Sequence, residues 1–294
     1  MTESKSFNRA ATIILTVIVI VTLLPIVLLV IASFTKEQVL IQNGYTFFPK
    51  ALSLDAYYYM VKQGVVIVRS YGVSFLVTIL GTVMSVVITT TLAYPMARKS
   101  FRYKNVLSFF VFFTMLFNGG IVPSYIMWSR FFHIKNTIWA LIIPNYLVTA
   151  FNVILVKNFY QNNVPDALVE AAQIDGASEL KTFYKIMFPL SRPVVATISL
   201  FTGLCYWNDW TNGLYYVNQE RYWGIQNLLN KMISDVQALT SGLMSKQMAG
   251  MLSTMPSVSV RMAIAFVAML PVLAVYPFLQ KYFAEGIAMG AVKG

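Results

Sequence analysis

The sequence predicts an all-α integral membrane protein with six transmembrane helices and a cytoplasmic helical hairpin between spans four and five. Three observations lead to this prediction. The 294 residues are 57% hydrophobic and only 11% charged, with a mean hydropathy of +0.65. The hydrophobic residues form long uncharged runs of about 20 residues or more, which is the length that crosses roughly 30 Å of hydrocarbon. One stretch in the middle of the chain, 158–192, instead carries charged residues at helical spacing.

The six apolar runs are predicted to be helices because backbone groups in lipid must be satisfied within their own segment. They occupy residues 10–34, 70–97, 105–129, 136–156, 193–217 and 262–280. The first run is not expected to be a cleavable signal peptide, because its apolar core is too long and Pro25 interrupts it. We expect 1–294 to form a single transmembrane domain.

The orientation is predicted from the short loop 97–105, with sequence ARKSFRYKN. Four basic residues in so short a loop favour the cytoplasmic side of the membrane. Alternation from there places both termini and the segment 158–192 in the cytoplasm and the loop 218–260 outside. The net charge of +11 is dispersed along the chain. It therefore fits residues that flank membrane spans, and it does not form the basic stripe typical of a nucleic-acid-binding protein.

The segment 158–192 is predicted to form two short helices. Pro165 and Asp166 suit a helix start, since proline is tolerated in the first turn and a carboxylate favours the positive end of the helix dipole. Gly176 is expected to end the first helix in a left-handed conformation. Ser178 can cap a second helix that runs to about Phe188. On spacing alone, a hairpin that merely links two spans is an equal alternative.

The residues of this hairpin match a known pattern. Glu170-Ala171-Ala172, three residues, Gly176, nine residues and Ile186-x-Phe188-Pro189 resemble the EAA loop of permease subunits in bacterial ABC importers. The usual ending is I-x-L-P, so Phe188 is an apolar replacement for leucine. The stretches FNGGIVPSY, NTIWALIIP and GIAMGAVKG are similar to the carbohydrate-uptake subgroup. The likeness is to the second permease of a pair, as in maltose-type, complex-oligosaccharide and alginate importers.

The resemblance implies that the hairpin is a coupling helix that docks on a cytoplasmic ATPase subunit. The residues it assigns to this role are Glu170, Ala171, Ala172, Asp175, Gly176, Ile186 and Pro189. It also implies that the C-terminal tail reaches toward the ATPases through Gly290, Val292, Lys293 and Gly294, although a frayed terminus is the alternative. The chain has no phosphate-binding Gly-x-x-x-x-Gly-Lys-Ser/Thr loop. We therefore expect it not to be an enzyme, with no cofactor in this chain and ATP and Mg bound by partner subunits.

A second set of residues forms the candidate pathway or gate. It comprises Asn118, Gly119, Gly120, Asn152, Trp207, Asn208, Asp209 and Trp210. Asp209 is the only ionisable residue inside a predicted span, and such a charge is a functional candidate. An interfacial aromatic belt with Asp209 in water is the alternative. Residues 117–120 are expected to break the third span near its outer end, as a gate hinge or simply as the helix end. Asn145 and Asn152 could line the pathway, although bonding between helices is the commoner use.

The function predicted from the residues and the resemblance is that of an inner (cytoplasmic) membrane permease subunit in a bacterium. Its expected partners are a homologous second permease, two ATPase subunits, an extracellular sugar-binding protein and membrane lipid. The expected solute is an oligosaccharide, with an acidic one favoured over a neutral one, because basic residues outnumber acidic ones in the predicted outer loops. A permease for a non-sugar solute and a membrane receptor or scaffold are the alternatives. One cysteine and one histidine argue against a metal site.

Overall fold

The computed structural model describes residues 5–62, 64–240 and 258–291, and it describes no side chains at 5–7, 235–240, 276 and 278–291. Within these ranges the regular structure is helical, and the strand-like pairing is limited to one isolated antiparallel bridge between Thr35 and Leu52. The predicted all-α class is therefore confirmed. The chain divides into two compact units, Met1–Val68 with Leu228–Pro271 and Arg69–Asn227 with Val272–Gly294.

The α-helices are numbered here in chain order. They are α1 Lys5–Ser33, α2 Glu37–Asn43, α3 Asp55–Lys62, α4 Gly64–Ala97, α5 Lys104–Leu116, α6 Ile121–Ile126, α7 Trp139–Ile142, α8 Ala150–Asn163, α9 Asp166–Ile174, α10 Glu179–Thr182, α11 Phe188–Leu190, α12 Arg192–Trp207, α13 Thr211–Tyr216, α14 Ile225–Thr240 and α15 Val258–Ala291. One π-helical turn, Met127–Phe131, extends α6, and another, Phe183–Met187, joins α10 to α11. A short 3-10 turn occupies Glu220–Tyr222.

Three of the predicted spans are recovered as continuous apolar helices. Within the described part of the chain, Asn8–Ser33, Gly64–Ala97 and Val258–Val275 are long and apolar enough to cross a membrane. They correspond to the first, second and sixth predicted spans. Pro25 lies inside α1 and does not interrupt it. Proline removes only one backbone N–H, and an otherwise uninterrupted apolar helix tolerates that loss.

The third predicted span is broken, as the sequence indicated. The pair Lys104–Leu116 and Ile121–Phe131 bends by 113° across residues 117–120. The sequence predicted this break near the outer end of the span, and that position is wrong. Helix α5, which precedes the break, contains only 13 residues. Such a helix is about 20 Å long at about 1.5 Å per residue. The break therefore falls near the middle of the predicted span.

The fourth predicted span, 136–156, is wrong as one continuous helix. Helix α7 covers only Trp139–Ile142, turns follow, and α8 begins at Ala150. Pro144 has no N–H to donate, and Asn145 adopts a left-handed conformation with φ 69°. The apolar composition concealed this break, since hydropathy does not register backbone conformation.

The fifth predicted span ends earlier than expected, and the outer loop contains an unexpected helix. Helix α12 stops at Trp207, and α13 is a separate element of six residues. Together with Glu179–Leu190, α12 forms a second bent pair, with an angle of 79°. Counting each bent pair as one span gives five candidates among the described residues. Helix α14 falls in the predicted loop 218–260, of which 241–257 lies outside the described residues.

In the first unit, Glu37 joins α2 to the start of α15. Its carboxylate accepts hydrogen bonds from the backbone N–H groups of Val258 and Ser259, at 2.9 and 2.8 Å, and from the Ser259 hydroxyl at 2.6 Å. The first N–H groups of a helix lack intrahelical partners and carry a partial positive charge. Glu37 therefore caps a helix that begins more than two hundred positions further along the chain.

The second unit contains two apolar clusters along α4. One, near the α4 C-terminus, gathers Tyr94, Met96, Val156, Phe183 and Ile198 among its buried members. The other gathers residues from α4, α7, α12 and α13, including Val77, Ile142, Tyr206 and Tyr216. Its centre is the Tyr206 ring, whose hydroxyl donates to the Ile142 carbonyl at 2.8 Å. The ring lies directly against Gly81, where an added Cβ would be 2.5 Å from it.

We expect Gly81→Ala to destabilise the fold because the new methyl group must displace the Tyr206 ring and strain its hydrogen bond. Overpacking of this kind typically costs about 1–3 kcal/mol, more than the roughly 1 kcal/mol that alanine contributes to helix propensity. Gly72→Ala is the matched control, since it lies in the same helix with open space around it. Thermal unfolding of the purified chain should show a lower Tm for Gly81→Ala and an unchanged or higher Tm for Gly72→Ala. Equal Tm values for the two variants would contradict this packing argument.

Candidate functional site

The predicted hairpin is present, with α9, a tight turn, and a second helical arm. Helix α9 ends at Ile174, and Gly176 adopts a left-handed conformation with φ 72°, as predicted. The Ser178 hydroxyl accepts a hydrogen bond from the backbone N–H of Lys181 at 3.3 Å and so caps the second arm, as also predicted. Pro189 does not end that arm, since it lies within α11. It falls in the first turn of that short helix, where proline is tolerated.

One carboxylate, Glu179, ties the hairpin to the end of α4. It accepts a hydrogen bond from the Tyr94 hydroxyl and one from the Gln173 side-chain amide at 3.0 Å. A guanidinium nitrogen of Arg98 lies 3.7 Å from Oε1 of Glu179. This role of Glu179 is not predictable from neighbouring residues, because Tyr94 and Glu179 are 85 positions apart in the chain. The one relevant feature of the sequence is the basic loop that follows α4. It predicted the orientation of the chain in the membrane, but it did not indicate that Glu179 would be the partner of Arg98.

A second ion pair closes the other edge of the hairpin. The Lys99 ammonium lies 2.6 Å from a carboxylate oxygen of Asp166, in the first turn of α9. Hydrogen bonding within this pair raises the pKa of Lys99 and lowers the pKa of Asp166. Both side chains are exposed to solvent, so the pair orients the hairpin more than it stabilises the fold.

The two faces of the hairpin have different surroundings. Val169 and Ala172 are buried, with 3% and 7% exposed. Ile174 and Leu180 are 87% and 70% exposed. The sequence placed Ala171 and Ala172 on one docking face, but Ala172 packs inward and only Ala171 faces outward. The chain thus holds the hairpin on its own core and presents an outer surface that combines exposed apolar side chains with charged ones.

The remaining predicted coupling residues are distributed over both arms. Glu170, Asp175 and Gly176 are exposed, whereas Ile186 and Pro189 are half-buried. Of the predicted tail residues, Gly290 lies in α15, while Val292, Lys293 and Gly294 lie outside the described residues. A coupling surface therefore has to be argued from the exposed part of the hairpin.

Asp209 serves as a helix cap at the far end of α12. One carboxylate oxygen accepts hydrogen bonds from the backbone N–H groups of Thr211 and Asn212, at 3.0 and 3.2 Å. This places the charge at the positive end of α13. Neither reading of the sequence, a pathway charge or an aspartate in water, included this use. The cap reflects the break at 208–210, which hydropathy did not indicate.

The two tryptophans beside Asp209 lie in different environments. Trp207 is buried, with its ring centroid 5.1 Å from that of Phe75 and 6.3 Å from that of Tyr71. Trp210 is exposed, and its carbonyl accepts a hydrogen bond from the Asn227 side chain at 2.8 Å. Asn208 is also exposed. Trp207 is thus a packing residue of α4 and α12, whereas Asn208 and Trp210 remain accessible candidates.

Asparagine side chains form the hydrogen bonds that link the broken fourth segment to neighbouring helices. The Asn145 amide donates to Asn212 at 2.8 Å, and the Asn212 amide donates to the Pro144 carbonyl at 3.2 Å. Asn152 donates to the Thr202 hydroxyl at 3.1 Å and is buried. Both predicted asparagines therefore bond across to the segment that contains α12 and α13, which was the commoner of the two expected uses. Asn152 also borders a cavity.

This cavity, of about 420 Å³, lies between α8 and α12. Its walls are mostly aromatic and apolar, with a few hydroxyl and amide groups, and comprise Tyr146, Thr149, Phe151, Asn152, Phe201, Thr202, Leu204 and Cys205. Such a mixture suits the faces and hydroxyls of a sugar ring. It is separate from the exposed Asn208 and Trp210.

The glycine pair of the third segment forms a sharp corner. Gly120 has φ 85°, and its N–H donates to the Asn118 side-chain oxygen at 2.8 Å. Gly119 precedes it in the same break, with open space around it except for Pro123. A left-handed residue at this corner explains why glycine occupies the position. The three predicted residues thus share one turn.

Within the described ranges, no three His, Cys, Asp or Glu side chains cluster as a metal ion would require. Cys205 is exposed and unpaired as a thiol. The geometry instead combines a held hairpin, broken helices and a cavity between helices.

Comparisons with known proteins agree with this arrangement. Residues 89–289 match the model of the family described as binding-protein-dependent transport system inner membrane component. Protein LplC of Bacillus subtilis is 39% identical over 93% of this chain and 90% of its own length. The polygalacturonan/rhamnogalacturonan transport system permease protein YtcP of the same organism is 39% identical, over 94% of each chain.

A solved structure is also similar to this chain. It belongs to a bacterial ABC transporter involved in the import of the acidic polysaccharide alginate. The match has a TM-score of 0.81 and 28% identity, and it covers 96% of this chain and 99% of that one. On the extent of the family match and of these similarities, the chain belongs to the family of inner membrane components of binding-protein-dependent transport systems.

Proposed function

We propose that this chain is the permease subunit of an ATP-driven importer and forms half of a translocation pathway for an oligosaccharide. The observation that carries the proposal is the hairpin, with its turn at Gly176 and its exposed outer face, on which Ile174 and Leu180 lie beside charged residues. Because Glu179 and Val169 anchor its inner side, a push on the outer side is transmitted to α4 and to the core. Rigid-body motion of packed elements is how such interfaces switch.

The partners follow from this proposal. Two ATPase subunits bind ATP and Mg and dock on the outer face of the hairpin and on the C-terminal tail. A homologous second permease supplies the other half of the pathway, and an extracellular binding protein delivers the solute. The membership of a binding-protein-dependent family supports the last of these partners. The competing function is that of a membrane receptor or scaffold, in which the same hairpin would recruit a cytoplasmic partner.

The proposed topology has six crossings with both termini in the cytoplasm. Three crossings are the continuous helices α1, α4 and the apolar part of α15. The other three are made by broken segments, and the side-chain bonds across those breaks support this reading. Irregular backbone at membrane depth is tolerated where protein covers it.

The proposed solute is an acidic oligosaccharide. The alginate importer is similar over nearly the whole chain, and the name of YtcP includes polygalacturonan. The predicted outer loops have an excess of basic residues. Positive charge around an entrance raises the local concentration of anions. The cavity between α8 and α12 offers aromatic and hydroxyl groups for the sugar.

The hairpin is tested by changing its outer face and its turn. Ile174→Asp should leave the fold intact, because the side chain is exposed, but should abolish ATPase association. Glu170→Lys reverses the charge on the same exposed face and should act in the same direction. Gly176→Val should strain the left-handed turn by roughly 1–2 kcal/mol and reduce coupled uptake. Co-purification of the ATPase subunits and transport in cells measure both effects.

Gly44→Val is the matched control for the strained turn. Gly44 has φ 69°, ψ −161° and open space around it, a conformation that is almost restricted to glycine, so valine should cause at least as much backbone strain outside the hairpin. This variant should retain ATPase association. Normal uptake and association in the three hairpin variants, at normal expression, would reject the coupling role.

The topology is tested with single cysteines in a Cys205→Ser background. Ser234→Cys, in the predicted outer loop, should react with an impermeant thiol reagent in protoplasts. Lys181→Cys, in the hairpin, should react only after the membrane is opened. Both positions are exposed, so access across the membrane decides the result. The opposite labelling pattern would invert the proposed orientation.

The solute is tested with the reconstituted complex and its binding protein. Matched neutral and uronate oligomers of equal length should both be screened for stimulation of ATP hydrolysis and for uptake. We expect the uronate series to give the larger stimulation. Stimulation by the neutral series alone would reject the acidic class, and stimulation by peptides alone would reject the sugar assignment.

A further inference from the structure

An apolar cavity of about 380 Å³ lies beside the end of α4. It is distinct from the cavity between α8 and α12 and borders the hairpin. Its lining comes from the last turns of α4, the loop that follows, and the second arm of the hairpin, with Thr91, Tyr94, Phe101, Leu180 and Phe183 among the walls. The charged groups in the lining are Arg98 and Glu179.

Arg98 is the unusual member of this lining. Its side chain is only 14% exposed, and its one ion-pair contact, to Glu179, is long at 3.7 Å. Its Nε is buried and has no hydrogen-bond partner among the described residues. Glu179 is already engaged by Tyr94 and Gln173. A guanidinium carries five N–H donors, so Arg98 retains donors for an anionic group.

The depth of Arg98 in the membrane follows from the length of α4. The uncharged stretch 70–97 contains 28 residues. As a helix it is about 42 Å long, close to the roughly 40–45 Å of a bilayer with its headgroups. Arg69 and Arg98 bound this stretch, so a crossing of the bilayer by α4 brings the guanidinium of Arg98 to the level of the lipid phosphates.

The loop after α4 adds further positive charge at the same level. Lys99, Arg102 and Lys104 follow Arg98 within six positions, and only Lys99 is paired with a carboxylate in the described structure. Basic clusters directly beside a membrane helix attract anionic lipids. The walls contributed by Thr91, Tyr94 and Pro95 belong to the uncharged stretch, where a lipid chain has access and a soluble protein does not.

We propose that this cavity is a binding site for an anionic phospholipid, whose phosphate contacts Arg98 and whose acyl chain occupies the apolar walls. The same guanidinium contacts Glu179 in the hairpin. A bound lipid therefore lies next to the element that we propose to couple to the ATPases, although lipid binding itself does not depend on that function.

The test uses the full-length chain purified with its accompanying subunits in nanodiscs that contain phosphatidylcholine and phosphatidylglycerol of identical chain length. Native mass spectrometry after release into detergent measures the lipid retained. We expect selective retention of phosphatidylglycerol. Arg98→Gln should reduce it roughly tenfold or more, as expected for loss of a hydrogen bond to a charged group. Arg102→Gln is the matched control, because it removes the same charge from the same loop outside the cavity, and it should retain several times more lipid than Arg98→Gln.

A second variant guards against a folding defect in Arg98→Gln. Thr91→Phe keeps the guanidinium but fills the apolar part of the cavity, and it should also lose phosphatidylglycerol, while Arg98→Lys should restore part of the retention that glutamine abolishes. Equal retention of both lipids, or unchanged retention in Arg98→Gln and Thr91→Phe, would overturn the proposal. Displacement of the lipid by millimolar glycerol phosphate would identify a site for free phosphate instead. Loss of the ATPase subunits from Arg98→Gln with normal lipid retention would identify a protein contact.

Discussion

Backbone N–H and C=O groups in apolar surroundings need partners within the protein, and this constraint governs most of the architecture. In α1 and α4 the helix supplies nearly all partners, except opposite Pro25 and Pro95, which is why long uncharged runs are helical. Where the chain breaks, side chains take over. Asn212 bonds to the Pro144 carbonyl, Tyr206 bonds to the Ile142 carbonyl, and Asp209 caps α13. The breaks and the polar residues that were first considered as pathway residues are therefore two aspects of one requirement.

This requirement changes how polar residues in an apolar chain are interpreted. An aspartate or asparagine in a predicted span is a reasonable candidate for contact with a solute. In this chain Asp209, Asn145 and Asn152 are already bonded to neighbouring segments. Near them, the side chains of Asn208 and Trp210 remain exposed. We therefore propose that the solute contacts surfaces between helices, such as the cavity between α8 and α12, more than the carboxylate of Asp209.

The hairpin and the end of α4 form one mechanical connection. Tyr94 and Arg98 contact Glu179, and Lys99 contacts Asp166, so the two arms are both held from the same short region. The inner side of the hairpin packs on the core through Val169 and Phe183. In the coupling role that we propose, a force on the outer side would therefore reach α4 and the core as well as the hairpin. The proposed lipid at Arg98 would lie against this same connection, which links the composition of the membrane to the position of the hairpin.

The sequence by itself determined the helical class, the three continuous spans, the break near Gly120 and the hairpin with its turn at Gly176. Each of these depends on local chemistry, namely an uncharged run, a glycine with positive φ or a capping serine, and local chemistry is written in neighbouring residues. Only the tertiary structure decided the rest. The division of the fourth segment at Pro144 and Asn145 depends on Asn212, which lies 67 positions from Asn145. The roles of Glu179 and Asp209 and the inward position of Ala172 depend likewise on which segments meet. Hydropathy reports how apolar a segment is, whereas the partners that satisfy its backbone and charges are set by the packing of distant parts of the chain.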